Sequence, residues 1–321
     1  MKNIKYNKTL AVQILIFLFL TILFLISLKP SESRNKNMTK SALLNSKYEI
    51  SKISIFNKST GQLDLIQYDS FWGGIYTKEE KSVYFPARKK IIDEFIDYSK
   101  KIIDLNKIVS LKSSQKEIEK TYKIYALDEE NQTALSFFDK SGQCISKIYF
   151  GAMNQSLDQI FIRTDKNLAV FSVDSKIADY LEIKPDFWCE PNLIPEGIFK
   201  SSAFSEIQNF SYRTDFSDFI NASETAYDKF LSLRFSEIVT DFVPKEKTLE
   251  LRLSDGTGTE YHADFFPART KNGDCYIFSL KITPSMLFSK DAGEFLKKIN
   301  YSCSISQWTY STIIENLKKR P

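Results

Sequence analysis

Residues 135–150 read LSFFDKSGQCISKIYF, two β-prone runs on either side of a short polar segment. The segment Asp139-Lys140-Ser141-Gly142 has the composition of a tight turn, in which glycine can adopt positive φ at no steric cost. Residues 144–150 then alternate apolar and polar side chains, as a half-buried strand does. The stretch predicts an antiparallel β-hairpin.

A second stretch, residues 249–266, repeats this plan as LELRLSDGTGTEYHADFF. Leu249 follows Leu135 by 114 residues, and Trp308 follows Trp188 by 120. We therefore predict an α+β fold with two similar antiparallel-sheet units, each with helices packed on one face, the second interpreted as a duplicate of the first. The alternative is that any two β-β-α units look alike at this level.

The duplication makes specific structural predictions. Leu135 should correspond to Leu249, and Gly142 to the turn at Gly256–Gly258. Strand order should be the same in both units, and both tryptophans should be core residues, since burial of so large an aromatic surface stabilises a unit.

The predicted division of the chain has four parts. Residues 1–28 form a tail and transmembrane anchor, 29–47 a basic juxtamembrane linker, 48–190 the first α+β unit and 203–321 the second. One helix of the first unit is predicted from an apolar stripe with helical spacing. The stripe consists of Ile91, Phe95, Tyr98, Ile102 and Leu105.

The anchor is predicted from the uncharged run LAVQILIFLFLTILFLISL at residues 10–28. As a helix it would measure about 28 Å, close to the thickness of a bilayer's hydrocarbon core. A cleaved signal peptide is the alternative, but Ser27-Leu28-Lys29-Pro30 lacks the small residues of a cleavage site. Positions representative of the span are Leu10, Ile14, Phe17, Leu20, Leu23 and Leu28.

Charge separates the N-terminal region from the body. Residues 1–47 carry eight Lys or Arg against Glu32 alone, so the net charge of +4 leaves about −3 for the remainder. This balance predicts a lipid bilayer and not nucleic acid as the charged partner. Positive residues flank the run on both sides, so the positive-inside rule does not orient it. Because the body is long and the preceding tail short, we expect the body to be extracytoplasmic, at a bacterial inner membrane.

No catalytic or cofactor motif stands out. His262, the single histidine, lies in a predicted strand without a partner motif, and residues 255–258 (Asp-Gly-Thr-Gly) fit a hairpin turn better than a protease or phosphate-binding loop. Acidic pairs such as Asp93/Glu94 and residues 128–130 are interpreted as solvated faces. The remaining candidates are Cys144, Cys189, Cys275 and Cys303, which lack metal-site spacing and are interpreted as small buried hydrophobes. We therefore predict no catalytic, metal or cofactor-binding residues.

The order of several segments resembles a known family. They are residues 53–56 (ISIF), 71–72 (FW), 83–87 (VYFPA), 124–127 (IYAL), 135–142, 148–151 (IYFG), 160–163 (IFIR) and 170–173 (VFSV). The chain resembles domain of unknown function 4340, well over residues 50–190 and loosely elsewhere. One departure is Tyr125-Ala126-Leu127, where the family tends to have Tyr-Gly-Leu. The resemblance implies a membrane-anchored auxiliary protein found beside gliding-motility-type ABC transporters.

The resulting hypothesis is a non-enzymatic, membrane-anchored accessory or binding subunit that acts with an ABC permease and ATPase. The alternative is an extracytoplasmic hydrolase of envelope polymers that uses paired carboxylates. A cleft with two buried carboxylates and aromatic walls would favour the hydrolase, and flat sheet faces would favour the binding protein.

Overall fold

The computed structural model describes residues 38–318, apart from 112–113, 166, 196, 200–203, 215–216, 240–241, 245 and 271–272. The predicted anchor, residues 1–28, lies outside this part of the chain. No helix among the described residues is both long and apolar enough to cross a membrane.

The described residues form two antiparallel sheets with helices, which confirms the α+β class. The first sheet has ten strands in the order β1-β6-β10-β9-β8-β7-β2-β3-β4-β5. In chain order they are β1 (Met38–Ala42), β2 (Lys52–Asn57), β3 (Gly61–Tyr68), β4 (Phe71–Lys78), β5 (Lys81–Ala87), β6 (Ile102–Val109), β7 (Thr133–Phe138), β8 (Cys144–Met153), β9 (Gln159–Thr164) and β10 (Asn167–Asp174).

The second sheet has seven strands in the order β12-β11-β14-β15-β16-β17-β13. They are β11 (Asn209–Thr214), β12 (Ile220–Asn221), β13 (Glu237–Ile238), β14 (Leu249–Ser254), β15 (Glu260–Thr270), β16 (Gly273–Thr283) and β17 (Ser302–Ser306). The α-helices are α1 (Lys89–Lys100), α2 (Gln115–Ile124), α3 (Pro185–Trp188), α4 (Glu224–Leu231), α5 (Lys290–Lys297) and α6 (Gln307–Lys318), and 3-10 helices occur at Ser175–Tyr180 and Phe204–Glu206.

Seven strands of each sheet follow the same order. The order β6-β10-β9-β8-β7-β2-β3 in the first sheet corresponds to β13-β17-β16-β15-β14-β11-β12 in the second, and every pair is antiparallel. The sheets differ in that β9 and β10 are joined directly, whereas α5 separates β16 from β17. The strand order expected of a repeated unit is thus present.

The two hairpin turns match with an offset of 116 residues. Gly142 and Gly258 have φ of +80° and +83°, and each donates its N–H to the carbonyl of the aspartate three residues earlier. The correspondence of Gly142 with the second turn is confirmed. The predicted offset of 114 is wrong, because the turns align Leu135 with Leu251 and not with Leu249.

The two tryptophans differ in burial. Trp188 is fully buried beside Phe95, and its indole Nε1 donates a hydrogen bond to Glu182 O at 2.7 Å. Trp308 is 73% exposed, so its predicted core position is wrong. The helix α6 buries Ile313 and Leu317, and at about 100° per residue Trp308 lies on a different side of that helix.

Helix α1 is shorter than the apolar stripe predicted. It ends at Lys100, and Ile102 and Leu105 lie in β6. Strand β6 pairs with both β1 and β10, so the β-branched residues of this segment complete a sheet in place of continuing a helix. Tertiary pairing therefore overrides helical periodicity here.

The predicted juxtamembrane linker overlaps the folded body. Strand β1 falls within residues 29–47 and forms an edge of the first sheet by pairing with β6. Leu44 is almost fully buried, and its N–H donates to Ser99 O. The body therefore includes residues from Met38 onward and does not begin at 48.

The two sheets share one continuous apolar core. Phe295 of α5 packs against Gly73 of β4, where an added Cβ would lie 2.4 Å from Phe295 Cζ. At the edge of β5, Asn300 accepts the N–H of Tyr84 at 2.7 Å and donates from Nδ2 to Ser82 O at 3.1 Å. The second unit thus covers an edge strand of the first.

Ala126, where the chain has alanine in place of the glycine of a Tyr-Gly-Leu pattern, lies at a strained helix end. Helix α2 ends with Leu127 N–H donating to Tyr122 O and Ala126 N–H to Lys123 O, the hydrogen-bond pattern of a Schellman motif. Ala126 occupies the left-handed position with φ +53°, where glycine is preferred. The helix end that glycine favours therefore forms here with alanine.

We expect Ala126→Gly to raise the free energy of unfolding by about 0.5–1 kcal/mol, because it relieves this strain. Chemical denaturation measures the change. Ala152→Gly in β8 is the control, since it lacks positive φ and should lower stability. Equal effects of the two changes would contradict the strain at Ala126.

Candidate functional site

A cleft of about 570 Å³ lies between the first unit and the segment that leads to the second unit. Its walls come from the start of β4, the end of β5, the N-terminal half of α1 and the segment 190–198 that leads to the second unit. An antiparallel bridge between Ala87 and Cys189 brings this segment to β5, and Glu190 N–H donates to Pro86 O at 2.9 Å. The cleft is therefore built by chain segments a hundred residues apart.

The N-terminus of α1 opens on this cleft without a side-chain cap. Arg88 is the N-cap residue, and its side chain accepts no N–H of the first turn. The first turn contains Lys89 and Lys90 and no acidic residue. The free N–H groups, the helix dipole and the basic side chains all favour a negatively charged group here.

Two buried donors beside the cleft have no hydrogen-bond partner among the described residues. They are Arg88 Nε and Trp72 Nε1. Arg88 uses Nη2 to donate to Cys189 O at 3.1 Å, and Trp72 is 3% exposed. A guanidinium and an indole can only donate, so an acceptor is what this wall lacks.

Acidic side chains line the rest of the helical wall. Asp93, Glu94 and Asp97 follow one and two turns after Arg88, and Glu190 lies on the segment opposite. Asp93 forms an ion pair with Lys89 at 2.5 Å. The cleft therefore has a cationic end and an acidic end.

The floor of the cleft is apolar. It contains Phe71, Trp72, Pro195 and Ile198. Gly197 runs so close to Phe71 that an added Cβ would lie 3.3 Å from the Phe71 Cβ. A concave surface with an apolar floor and polar groups at its two ends is typical of a small-molecule site.

His262 lies outside the cleft, in β15 as predicted. It faces Arg252 of β14 and Lys281 of β16, and its Nε2 lies 3.7 Å from Glu260 Oε2. This is a partly exposed strand position among charged neighbours.

Asp255 begins the predicted hairpin turn and is fully buried. Its Oδ1 accepts the N–H of Thr257 at 2.9 Å, the Thr257 hydroxyl at 2.6 Å and the N–H of Thr259 at 3.0 Å. The hairpin interpretation is confirmed, and the carboxylate is occupied by the turn itself.

The cysteines are dispersed. Cys189 and Cys303 are buried as predicted, whereas Cys144 is exposed and Cys275 is half-buried, and all four are free thiols. Burial raises the pKa of both the Cys189 and Cys303 thiols well above their ordinary value. Within the described part of the chain no three His, Cys, Asp or Glu side chains are arranged to hold a metal ion.

The structure reveals a charge cluster that sequence patterns did not indicate. Glu250 of β14 is almost fully buried, yet its carboxylate contacts Arg213 at 2.7 Å, Lys247 at 2.8 Å and Arg252 at 3.2 Å. Burial opposes its ionisation, but hydrogen bonds and charge from Lys247 and Arg213 outweigh it and lower the pKa of Glu250 to about 2. Lys247 and Arg252 lie within three residues of Glu250, but strand pairing brings Arg213 to it from 37 residues away. Spacing along the chain therefore did not indicate the whole cluster.

We expect Glu250→Gln to lower the free energy of unfolding at pH 7 by about 2 kcal/mol, since it leaves three cations without their carboxylate. A lowered pKa stabilises the fold above the ordinary glutamate pKa, and this contribution is lost as pH falls toward 2. The difference in Tm between wild type and variant should therefore shrink between pH 5 and pH 3. Glu260→Gln is the control, and a difference independent of pH would contradict the cluster's role.

Comparisons with known proteins show a partial similarity to a protein of uncharacterized function. No family profile and no solved structure matches the chain. It is 33% identical over 66 residues to an uncharacterized protein of Treponema pallidum (strain Nichols). That match spans 21% of this chain and 21% of the relative.

Proposed function

We propose that the chain is a membrane-anchored, extracytoplasmic binding or accessory subunit of a bacterial ABC-type transport system, with the cleft between the first unit and residues 190–198 as its binding site. The cleft is the observation that carries this proposal. It combines an uncapped helix N-terminus, two unpaired buried donors and an apolar floor. These features suit the binding of a small molecule and include no nucleophile. Its own chemistry is non-catalytic, and the transporter would supply the permease and the ATPase.

The alternative function, hydrolysis by paired carboxylates, is less well supported. Among the cleft acids, Glu94 and Asp97 are exposed, and Asp93 is paired with Lys89. The buried carboxylates in the described chain, Glu250 and Asp255, are occupied in other places. A general acid for glycoside hydrolysis needs an environment that raises its pKa, and partial exposure works against this.

The likeness of the two sheet units points to a common origin. We infer that the two sheet units arose from one duplicated unit, each then extended differently. The shared seven-strand order and the matched turns at Asp139 and Asp255 support it. In this view the cleft formed where the segment that connects the units folded against the first unit.

The association is tested by extracting the full-length, C-terminally tagged chain from native membranes with mild detergent. We expect an ABC permease and its ATPase to copurify with it. An unrelated single-span protein with the same tag is the control. Recovery of the chain without either subunit, from membranes in which both are present, would refute the transporter partnership.

The anchor gives a separate prediction, motivated by the uncharged run at residues 10–28. We expect the full-length chain to stay in the membrane through alkaline carbonate washing, because a span of about 28 Å is inserted in hydrocarbon. A chain starting at Met38 should be soluble and folded, whereas one starting at Tyr48 lacks β1 and should be less stable. A soluble mature chain beginning near Pro30 would show a cleaved signal instead.

A further inference from the structure

The cationic end of the cleft presents hydrogen-bond donors to an acceptor. The guanidinium of Arg88, the indole of Trp72 and the amide groups at the start of α1 are all donors. Trp72 is only 3% exposed, and its Nε1 has no hydrogen-bond partner among the described residues. Protein structures rarely leave a buried donor unpaired. Together with the helix N-terminus, this favours a carboxylate or similar monoanion.

The acidic end argues against a ligand that is only anionic. Asp93, Glu94, Asp97 and Glu190 would repel a highly charged anion such as a phosphate dianion. Glu94 and Asp97 form no ion pair within the described residues, and along α1 they lie about 9 Å and about 13 Å from Arg88. A cation near them would be attracted by unpaired carboxylates.

From this layout we infer that the cleft binds a small zwitterion, an amino acid or peptide terminus with a carboxylate at one end and an ammonium on a flexible stem at the other. The carboxylate would lie at the N-terminus of α1, and the ammonium would extend along the helix toward Glu94. The apolar floor of Phe71 and Ile198 would contact the stem between them. This inference rests on the proposed function, because it names the ligand of the same cleft.

The test is titration of the purified full-length protein in detergent with three matched compounds. Nα-acetyl-lysine carries both charges, Nα-acetylnorleucine lacks the ammonium, and Nα-acetyl-lysine amide lacks the carboxylate. By calorimetry we expect Nα-acetyl-lysine to bind and the Kd of each analogue to be higher by at least about tenfold. Equal binding of all three, or no binding of Nα-acetyl-lysine at about 10 mM, would overturn the inference. Tighter binding of Gly-Gly-Lys would assign the site to peptide termini, and equal binding to amino acids.

Variants locate the two ends of the ligand. Glu94 is exposed, so Glu94→Gln should leave the fold intact and weaken Nα-acetyl-lysine several-fold without affecting Nα-acetylnorleucine. Glu129→Gln, an exposed change outside the cleft, is the matched control. If the two variants bind Nα-acetyl-lysine equally, the ammonium does not lie beside α1, and the inference is wrong.

Fluorescence reports the carboxylate end, because the indole of Trp72 would gain an acceptor. Binding should change the tryptophan emission of wild type and of Trp308→Phe, whose residue is exposed, but not that of Trp72→Phe. An emission change that persists in Trp72→Phe would overturn this placement of the carboxylate. These readouts do not depend on the transporter. Binding without copurification would refute the proposed partnership alone, and copurification without binding would refute the ligand alone.

Discussion

Phe295→Ala should lower the free energy of unfolding by about 3–5 kcal/mol, because it removes the aromatic group through which the second unit docks on the first. Phe295 is 3% exposed, and its ring centroid lies 4.7 Å from that of Tyr68 and 6.0 Å from that of Phe71. Chemical denaturation of a chain that starts at Met38 measures the loss. Phe56→Ala is the matched control, because Phe56 is 46% exposed and its removal should cost under about 1 kcal/mol.

The partner position Gly73 tests the same contact from the other side. Gly73→Ala should cost about 1–3 kcal/mol, since the new Cβ would overlap the ring of Phe295. In a Phe295→Leu background the smaller side chain leaves room, so the cost of Gly73→Ala should fall by about 1 kcal/mol or more. Additive effects, or a Phe295→Ala cost no larger than that of Phe56→Ala, would contradict this docking.

Asp255→Ala should cost about 3 kcal/mol or more, because three donors inside the hairpin turn would lose their acceptor where water cannot replace it. The N–H of Thr259, a fully buried residue, is one of them. Asp255→Asn retains an oxygen for these donors and should cost about 1 kcal/mol. The measurement is the free energy of unfolding in denaturant.

The first unit supplies a matched control for this change. Asp139 Oδ1 accepts the Ser141 N–H at 2.9 Å, the Ser141 hydroxyl at 2.6 Å and the Gln143 N–H at 3.0 Å, the same three contacts in an exposed turn. These hydrogen bonds lower the pKa of Asp139, but water can solvate the donors if the carboxylate is removed. Asp139→Ala should therefore cost about 1 kcal/mol. Equal costs at Asp139 and Asp255 would show that burial is not what makes the second turn sensitive.

The sequence was sufficient for features that depend on neighbouring residues. Alternation around Asp139 and Asp255 predicted both hairpins, and glycine at 142 and 258 has the positive φ that a turn there requires. Similar spacing in the two halves also anticipated the shared strand order. Turn chemistry and strand periodicity operate over a few residues, so they can be recognised in one dimension.

Tertiary structure alone decided where distant segments meet. Ile102 and Leu105 continue a helical stripe in sequence, but pairing with β1 and β10 places them in a strand. Trp308 repeats the position of Trp188 in the chain, yet the packing of α6 leaves it in solvent. Helical and strand periodicities compete for the same apolar residues, and long-range pairing determines the outcome.

The cleft is another feature that only the tertiary structure decided. Arg88 and Lys89 read as ordinary basic residues before a helix, and residues 190–198 read as a linker. They form a site only because the Ala87–Cys189 bridge holds the linker against the start of α1. Sequence therefore determined the two hairpins, their turns and the hydrophobic run at residues 10–28. Contacts between the first unit and residues 190–198 decided the binding surface, because convergence of side chains far apart in the chain has no local signature.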